Sequence, residues 1–519
     1  MKKSNKKGFT IVELVIVIAV IAILAAVLIP TFSGLVKKAN LSSDQQAVKQ
    51  MNTALKIYEG KNGKPDSIDK AMNALEEAGY SAKDWQPLSK GYIVYWYETE
   101  NVCILYNSDE ESVAYPEEYK SVFTDPSKNG KLHRYNASYL DAMEADLKPD
   151  ANGAKNISYN ENVTLEVKKD TSKVIFKITA TESSNAADQQ AQMGKALYTI
   201  FTQIANEEKR NSLGIDDKAK NVEIVLPAEK TVDISAYEWN PIDKFSGTIK
   251  STEDGKSVTI KGLSLTSSTS YSESQLFPGN AKYFATGFIS TVSGTAVIKD
   301  LTFTDIKIVE PAKDINNADT LPQAKTNNVT GVIGAIIAEN SQESADITIE
   351  NVHATGEVTG CTRVGGLIGY LGGTGVSPNY NYFAEGSKVT IKNCSFSGKV
   401  TSTNESFANK DESRGTAAGF IGFLDKCNNN VTITIENCKC DVTVNSKKDS
   451  IFINLWDYKG GNLTIKNAMI SDKSTATTGN IITVNPQTDK NNVTVENSGT
   501  ADSGYKFITA GTYNNESIR

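Results

Sequence analysis

Apolar positions dominate the start of the chain and set its longest predicted element. A 21-residue apolar run extends from Phe9 to Ile29 and is interrupted by one charge, Glu13. Over 41–60 the apolar residues recur at steps of three, four and seven, which is the pattern of an amphipathic helix. The two patterns together predict one helix over 9–58, about 75 Å long at about 1.5 Å per residue. Pro30 lacks an amide hydrogen and is expected to kink this helix.

The apolar run is also long enough, as a helix, to cross the hydrocarbon core of a membrane. A carboxylate inside such a segment is costly, so Glu13 is a candidate functional residue. Four lysines precede the run. This positive charge predicts that the N-terminus stays in the cytoplasm and that the rest of the chain lies outside the cell.

Shorter elements follow and predict a small α+β head over 59–125. A short helix is predicted over 67–80, and an antiparallel hairpin with a polar turn over 92–107. Residues 126–185 are predicted to be a linker that contains a second hairpin at 162–180.

Residues 186–218 contain a strongly amphipathic stretch. One face of the predicted helix over 186–210 carries Met193, Leu197, Ile200, Phe201 and Ile204. We expect this helix to cap the open N-terminal end of the region that follows, as terminal caps do in repeat proteins.

From residue 219 onward the chain repeats a short strand pattern. The central aliphatic residues of the seven clearest copies are Ile260, Ile298, Ile349, Ile391, Ile435, Ile465 and Val495. Glycine-bracketed elements, GVIG, GGLIG and GFIG, fall between several of them. Because the spacing varies only through loops, the pattern predicts a β-solenoid of about seven coils over 219–519. Its long insertions are 309–330, 371–388 and 402–417.

Three columns of the repeat have a chemical interpretation. Asparagine recurs at the strand end, where it suits a left-handed turn and an amide ladder between coils. The outward column alternates in charge and predicts ion pairs worth less than ~1 kcal/mol each. Cys103, Cys394, Cys438 and Cys440 fall at apolar positions and are predicted to be buried thiols. The asparagines are Asn351, Asn393, Asn437, Asn467 and Asn497, and the charged residues are Glu350, Lys392, Glu436, Lys466 and Glu496.

Charge and composition argue against several kinds of function. The formal net charge is −7, and an acidic chain lacks the basic surface on which nucleic-acid binding usually depends. The chain has two histidines, His133 and His353, which argues against histidine metal sites and histidine-dependent catalysis. We therefore expect no cofactor, no metal and no nucleic-acid partner.

The N-terminal residues KKGFTIVEL resemble the class III signal of type IV pilins and type II secretion pseudopilins. The resemblance implies that a prepilin peptidase cleaves after Gly8 and methylates the new N-terminus, Phe9. It also implies that Glu13 pairs with the Phe9 ammonium of a neighbouring pilin subunit, and that Pro30 is a family feature of the kinked helix. An ordinary signal peptide and a simple single-pass anchor are the alternatives.

The repeat resembles the GLUG motif of bacterial surface proteins, which occurs in right-handed pectin-lyase-like β-helices. The resemblance implies an α+β pilin-like part followed by an all-β, right-handed parallel β-helix. Such folds include polysaccharide lyases and hydrolases, but fold alone is weak evidence for activity. Only two candidate carboxylate pairs are found in the sequence: Asp216 with Asp217, in a loop before the coils, and Asp300 with Asp305, at a turn. Because neither position favours a catalytic pair over solvated carboxylates, we expect no enzyme. A surface-anchored polysaccharide lyase or hydrolase is retained as an alternative.

These interpretations combine into a minor type IV pilin-like protein that displays a β-helix outside the cell for adhesion. Tyr380, Tyr382 and Phe383 are candidate binding residues, because aromatic side chains stack on sugars and anchor protein interfaces. A glycan or a host or matrix protein is the expected ligand. The main alternative is a pseudopilin of a type II secretion or competence apparatus.

Overall fold

In the computed structural model, the long predicted helix is present as α1, Ile11–Asn62. The structure describes residues 11–514 with gaps, the longest being 81–86, 121–131, 266–284, 310–328 and 404–414, and it describes side chains from residue 34 onward. By its internal contacts the chain divides into two units, Met1–Leu140 and Asp141–Arg519.

The first unit packs helices against a small sheet. Besides α1 it contains α2 (Ile68–Glu77), β1 (Tyr92–Tyr97), β2 (Val102–Asn107), β3 (Ser112–Tyr115) and β4 (Leu132–Arg134). β1 and β2 form the antiparallel hairpin expected from the sequence, and the strand order is β3-β2-β1-β4. Since β4 pairs with β1, the sheet continues beyond residue 125, where the sequence placed the end of the head.

The segment predicted as a linker is folded. Its elements and those that follow are α3 (Ala137–Glu144), β5 (Ala154–Ser158), β6 (Val163–Lys169), β7 (Val174–Ala180), α4 (Ala186–Ala205) and α5 (Glu207–Leu213). β6 and β7 form the expected second hairpin, and β5 pairs with β6. β7 also pairs in parallel with the first strand of the repeat region, so this hairpin belongs to the second unit.

Short strands make up the remainder of the second unit. They are β8 (Val222–Leu226), β9 (Thr231–Asp233), β10 (Thr248–Ser251), β11 (Val258–Lys261), β12 (Ser264–Leu265), β13 (Ala285–Thr286), β14 (Ile289–Val292), β15 (Val297–Val309), β16 (Val329–Thr330), β17 (Ile333–Ile337), β18 (Asp346–Gly360), β19 (Arg363–Gly365), β20 (Ile368–Gly372), β21 (Thr374–Val376), β22 (Asn379–Asn381), β23 (Lys388–Lys392), β24 (Ser395–Ser402), β25 (Thr416–Ala418), β26 (Ile421–Leu424), β27 (Thr432–Glu436), β28 (Lys439–Asn445), β29 (Lys448–Ser450), β30 (Ile453–Leu455), β31 (Asn462–Lys466), β32 (Met469–Ser471), β33 (Thr475–Ala476), β34 (Ile482–Val484), β35 (Val493–Glu496), β36 (Tyr505–Phe507) and β37 (Tyr513–Asn514).

Nearly all of these strands belong to three sheets, in which most neighbours are parallel. The first sheet joins β5–β7 to β8–β12, β15, β18, β23, β24, β27, β28, β31–β33, β35 and β36. The second sheet is β13-β16-β19-β25-β29, and the third is β14-β17-β20-β26-β30-β34-β37. From β13 to β31 the chain visits the second, third and first sheets in that order, repeatedly. The structure thus agrees with the prediction of an N-terminal helix followed by a β-rich region of parallel strands.

The register of the first sheet follows the repeated sequence letters. The aligned Cα partners run through Ile298, Ile349, Ile391, Ile435, Ile465 and Val495. In-register stacking of parallel strands explains why identical letters recur, since each position must fit the same neighbour above and below.

The predicted alignment is wrong at its first member, Ile260. Ile260 pairs with Phe303, whereas Ile249 occupies the position beside Ile298. β15 is long enough to pair with β10 at its start, with β11 in its middle and with β12 near its end. Both β10 and β11 contain Thr-Ile-Lys, so the letters alone do not distinguish them.

The interior of the second unit is one apolar core that begins under α4. The apolar face expected on this helix is fully buried, including Met193 and Ile200. The ring centroid of Phe201 lies 4.6 Å from that of Trp239 and 4.7 Å from that of Phe288. Trp239 Nε1 donates a hydrogen bond to the Phe288 carbonyl oxygen at 2.9 Å. The helix therefore covers the N-terminal end of this core with aromatic contacts.

Candidate functional site

The residues expected to govern processing and assembly lie at the start of the chain. Gly8 and Phe9 fall outside the described residues. Glu13 and Pro30 lie within α1, where the backbone is described and the side chains are not. Within the described part of the chain, no helix combines the length and apolar character that a membrane crossing requires.

Polar side chains fasten the outer half of α1 to the head. The buried carboxylate of Asp44 accepts hydrogen bonds from the backbone N–H of Leu88 at 2.8 Å and of Ser89 at 2.9 Å. The side-chain amide of Asn52 donates to the Cys103 carbonyl oxygen at 3.0 Å. These bonds fix which face of α1 is turned toward the small sheet.

Apolar side chains on α1 remain exposed beyond this contact. Leu35 is 58% and Val36 is 55% exposed, and both lie a few residues beyond the end of the apolar run at Ile29. Ile57, 56% exposed, borders a cavity of about 470 Å³ between α1 and α2 that Tyr58 and Tyr80 also line. The first unit therefore presents apolar surface that a partner could cover.

The aromatic residues predicted to bind a ligand have different environments. The insertion that carries them forms the hairpin β21–β22, in which Gly375 opposes Tyr380. Nothing is described of the Tyr380 side chain. Tyr382 is half-buried, with Lys426 Nζ 5.2 Å from its ring centroid. Phe383 is 1% exposed and belongs to the apolar core, so its ring cannot stack on a sugar.

A cavity of about 400 Å³ opens beside the first repeats. Polar and charged residues dominate its lining, which includes Lys218, Lys220, Thr295, Gln342 and Glu343, and the buried Phe383 also borders it. The other two insertions named from the sequence, 309–330 and 402–417, lie mostly outside the described residues. This cavity is a binding-sized depression on the described part of the second unit.

The asparagine column forms the expected ladder. Asn437 Nδ2 donates to Asn393 Oδ1 at 3.2 Å, and Asn467 Nδ2 donates to Asn437 Oδ1 at 3.3 Å. These three residues and Asn351 have φ between 50° and 54°, the left-handed conformation that asparagine tolerates. Asn497 instead donates to the carbonyl oxygen of Ile508 at 2.7 Å.

The charged column is also in register. Glu350 pairs with Lys392, and the alternation continues through Glu436, Lys466 and Glu496. Glu436 Oε2 lies 3.7 Å from Lys392 Nζ, and Glu436 Oε1 lies 3.6 Å from Lys466 Nζ. These half-exposed pairs are structural and stabilise weakly.

The candidate carboxylates have local structural partners. Asp216 Oδ1 accepts the backbone N–H of Lys218 at 3.0 Å and of Lys220 at 2.9 Å, which shapes a turn. Asp300 takes the first place in the asparagine column, with φ 59° and 3% exposure. Asp305 also has a left-handed backbone, with φ 55°.

All six cysteines are buried as thiols, including Cys361 and Cys427, whose environment the sequence left open. Burial raises the pKa of Cys103 and of Cys427, and it raises the pKa of Cys440 well above its ordinary value. Each of these three groups is therefore a protonated thiol at neutral pH. The prediction of buried thiols is confirmed for the four cysteines for which it was made.

Sequence reasoning missed one cluster on the outer face of the first sheet. His353 Nδ1 lies 2.8 Å from Ser395 Oγ, and His353 Nε2 lies 2.9 Å from Asn351 Oδ1. Asn351 Nδ2 donates to Asp300 Oδ1 at 2.8 Å. The signal for this cluster is the alignment of Asn351-Val352-His353 with Asn393-Cys394-Ser395, which places His353 beside Ser395.

Comparison with known proteins links the N-terminal region to filament subunits. Residues 3–29 match the family model of the prokaryotic N-terminal methylation motif. A type IV major fimbrial protein of Dichelobacter nodosus is 40% identical over 80 residues, which are 15% of this chain and 51% of that protein. A type IV wide pilus major component of Thermus thermophilus is 53% identical over 55 residues, 11% of this chain and 40% of that protein.

A secretion protein is similar as well. The type II secretion system core protein G of Aeromonas hydrophila is 28% identical over 75 residues, 14% of this chain and 52% of that protein. The chain thus spans about half, or less, of the length of these curated relatives. No solved structure matches the chain.

Proposed function

We propose that this chain is a minor type IV pilin-like subunit that carries a large binding domain out of the cell. The observation that carries the proposal is the methylation-motif match over 3–29, together with the helix α1, which begins inside that match at Ile11 and continues to Asn62. In this proposal Phe9–Ile29 anchors the subunit in the membrane before assembly. The exposed Leu35 and Val36 extend the apolar surface that neighbouring subunits would cover.

Processing and assembly would depend on the first residues of the motif. A prepilin peptidase would cleave after Gly8 and methylate Phe9. Glu13 would then pair with the Phe9 ammonium of an adjacent pilin subunit, because each charge compensates the other where water is excluded. Neither charge would be tolerated alone in the same apolar bundle.

The second unit is proposed to be a right-handed parallel β-helix that displays a ligand-binding surface. In-register pairing across successive repeats supports this winding, and one continuous core supports a rigid body. The cavity lined by Lys218, Lys220 and Glu343 suits a hydrophilic ligand such as a glycan. Tyr382 and Tyr380, on the insertion that also carries Phe383, are further candidates for contact with a glycan or a matrix protein.

A secretion pseudopilin is the second candidate, and the similarity to a type II secretion core protein favours it. In that case the second unit would handle cargo at the outer end of a short filament. The two candidates share processing and assembly, and they differ in what the second unit contacts.

Processing can be tested by coexpressing the full chain with a prepilin peptidase. Mass spectrometry of the N-terminus should find a chain that begins at methylated Phe9, and Gly8→Val should leave it uncleaved. A wild-type chain that keeps residues 1–8 would refute the proposal.

Assembly and display need separate measurements. Glu13→Ala and Glu13→Gln should both reach the membrane but be depleted from sheared filaments. Glycan and matrix-protein arrays probed with the second unit should then detect a ligand. Lys220→Glu should weaken the binding of the second unit to that ligand. Loss of cargo export on deleting the second unit, without any array signal, would favour the pseudopilin.

A further inference from the structure

The hydrogen-bonded chain from Ser395 to Asp300 has one consistent direction. Asp300 Oδ1 also accepts the backbone N–H of Gly255 at 3.2 Å, so it is an acceptor toward Asn351 as well. Asn351 must therefore turn its NH₂ group to Asp300 and its carbonyl oxygen to His353 Nε2. The neutral ring then has a proton on Nε2 and a lone pair on Nδ1, to which Ser395 Oγ–H donates.

The Asp300 end of this series of hydrogen bonds is held rigidly. Asn351 and Asp300 both have left-handed backbones, with φ 52° and 59°. The second oxygen of Asp300, Oδ2, is buried without a hydrogen-bond partner among the described residues. A buried carboxylate oxygen left in this state is uncommon in folded proteins and calls for a functional explanation.

The surroundings of the ring keep it unprotonated, which is the form that can accept a proton. Burial, and secondarily the positive charge of Lys439, lower the pKa of His353, so the ring is neutral at neutral pH. Lys439 is the Cα partner of Ser395 on the next strand. It forms an ion pair with Asp502 and lies 5.8 Å from the ring centroid of Tyr505. Ser395 thus stands between a base on one strand and an ammonium group on the other.

We propose that Ser395 is a nucleophile toward carboxylic esters, with His353 as its general base. Ser395 Oγ forms a bond to the carbonyl carbon while its proton moves to His353 Nδ1. The ester C–O bond then breaks, and the same proton passes to the departing alcohol oxygen. A water molecule repeats the sequence on the acyl-serine, releasing the acid and restoring Ser395.

The remaining residues of the cluster assist without reacting. Asn351 and Asp300 are positioning residues, because they fix the tautomer and orientation of the ring. Lys439 places positive charge near the oxygen on which negative charge develops. This activity goes beyond filament assembly and ligand display, and it does not depend on either.

The surroundings of Ser395 limit the size of the acyl group that the ester can carry. Its sequence neighbours Cys394 and Phe396 point into the core and are fully buried, so Ser395 faces outward. The side chains above and below it stand one strand spacing away, ~4.8 Å. This leaves room for a small acyl group, such as acetyl, carried on a large molecule that lies across the sheet.

A fluorophosphonate probe tests the nucleophile in the full chain in detergent. Ser395 should displace fluoride and become phosphonylated, and peptide mapping of the wild-type chain should find the label there. Mapping needs no variant to fold. Ser395→Ala should abolish the label, whereas Ser397→Ala, two residues farther along the same face of the strand, should retain it. Absence of label on Ser395 in the folded wild-type chain would overturn the proposal.

The roles of the other residues need their own measurements. His353→Gln should slow both labelling and p-nitrophenyl acetate hydrolysis ~100-fold, the usual contribution of a general base. An unchanged rate would exclude His353 as the base. Asn351→Asp keeps a residue that tolerates the left-handed backbone and places a carboxylate beside Nε2. With Lys439 and Asp300 unchanged, the added carboxylate should raise the pKa of His353 and move the pH profile of labelling upward. A profile that does not move would show that the ring does not act as the base.

Discussion

Gly194 lies where α4 makes its tightest contact with the repeat region. A Cβ atom added at this position would stand 1.7 Å from the backbone oxygen of Asp233 and 2.6 Å from its carbonyl carbon. Backbone atoms cannot rotate away as a side chain can. Gly194→Ala therefore requires α4 to shift off β9, which would disturb the contact between Phe201 and Trp239.

The size of the effect follows from two opposing terms. Overpacking of this kind costs about 1–3 kcal/mol. Alanine is a better helix former than glycine by about 1 kcal/mol, which offsets part of that cost. The difference is a net loss of about 0–2 kcal/mol, concentrated in α4, and its central value of about 1 kcal/mol corresponds to roughly fivefold faster amide exchange in that helix.

Hydrogen exchange with mass spectrometry of the full chain measures this directly. Gly34→Ala is the matched control, because Gly34 is also helical and its added Cβ would meet nothing within 4 Å. The control should be neutral or slightly stabilising. If Gly194→Ala leaves amide exchange in α4 as slow as in the wild-type chain, just as Gly34→Ala is expected to do for α1, then α4 and β9 do not approach this closely. That result would refute the expected clash.

Three further outcomes are expected. Asn437→Ala should lower the free energy of unfolding in urea by about 2–4 kcal/mol, because it removes the ladder hydrogen bonds and strains a left-handed backbone with φ 54°. Asn437→Asp should lower it less, and equal losses for the two variants would contradict this reasoning. All six thiols should resist a thiol reagent until the chain is unfolded, since every one is buried. The lowered pKa of His353 contributes stability that is complete above its unfolded value of about 6.5 and is lost as the pH falls through the folded value, so His353→Gln should flatten the decline in melting temperature between about pH 7 and 5.

The register of the first sheet could be predicted because stacking imposes it. In a parallel in-register sheet, each residue lies beside the residue at the same position of the next repeat. Ile349 and Ile391 therefore align in the sequence and are neighbours in the structure. Cys440 beside Phe396 follows from the same rule. The rule failed at Ile260, since β15 accommodates two similar strands along its length.

Contacts outside the repeat were less accessible to the sequence. The stretch before α4 is polar and weakly patterned, but Gln203 on α4 donates to the carbonyl oxygens of Ala142 at 2.8 Å and Ala145 at 2.6 Å. A backbone carbonyl oxygen that accepts a hydrogen bond can belong to any residue type, so the sequence of side chains does not indicate where the bond forms. Phe383 was misjudged for a related reason, because an aromatic residue in a loop has the same letter whether it returns to the core or faces solvent.

The Ser395 cluster shows where a linear search for chemistry fails in a stacked protein. The small number of histidines, two in the whole chain, argued against histidine catalysis. A count of residue types does not show which side chains meet in the fold. Here His353 and Ser395 are 42 residues apart and one strand spacing from each other. In this architecture the neighbours that matter lie along a column of the alignment. The column Thr302, His353, Ser395, Lys439, Met469 contains a base, a hydroxyl and an ammonium in succession. Its chemistry therefore belongs to the stack and would be lost if any one repeat slipped by a residue.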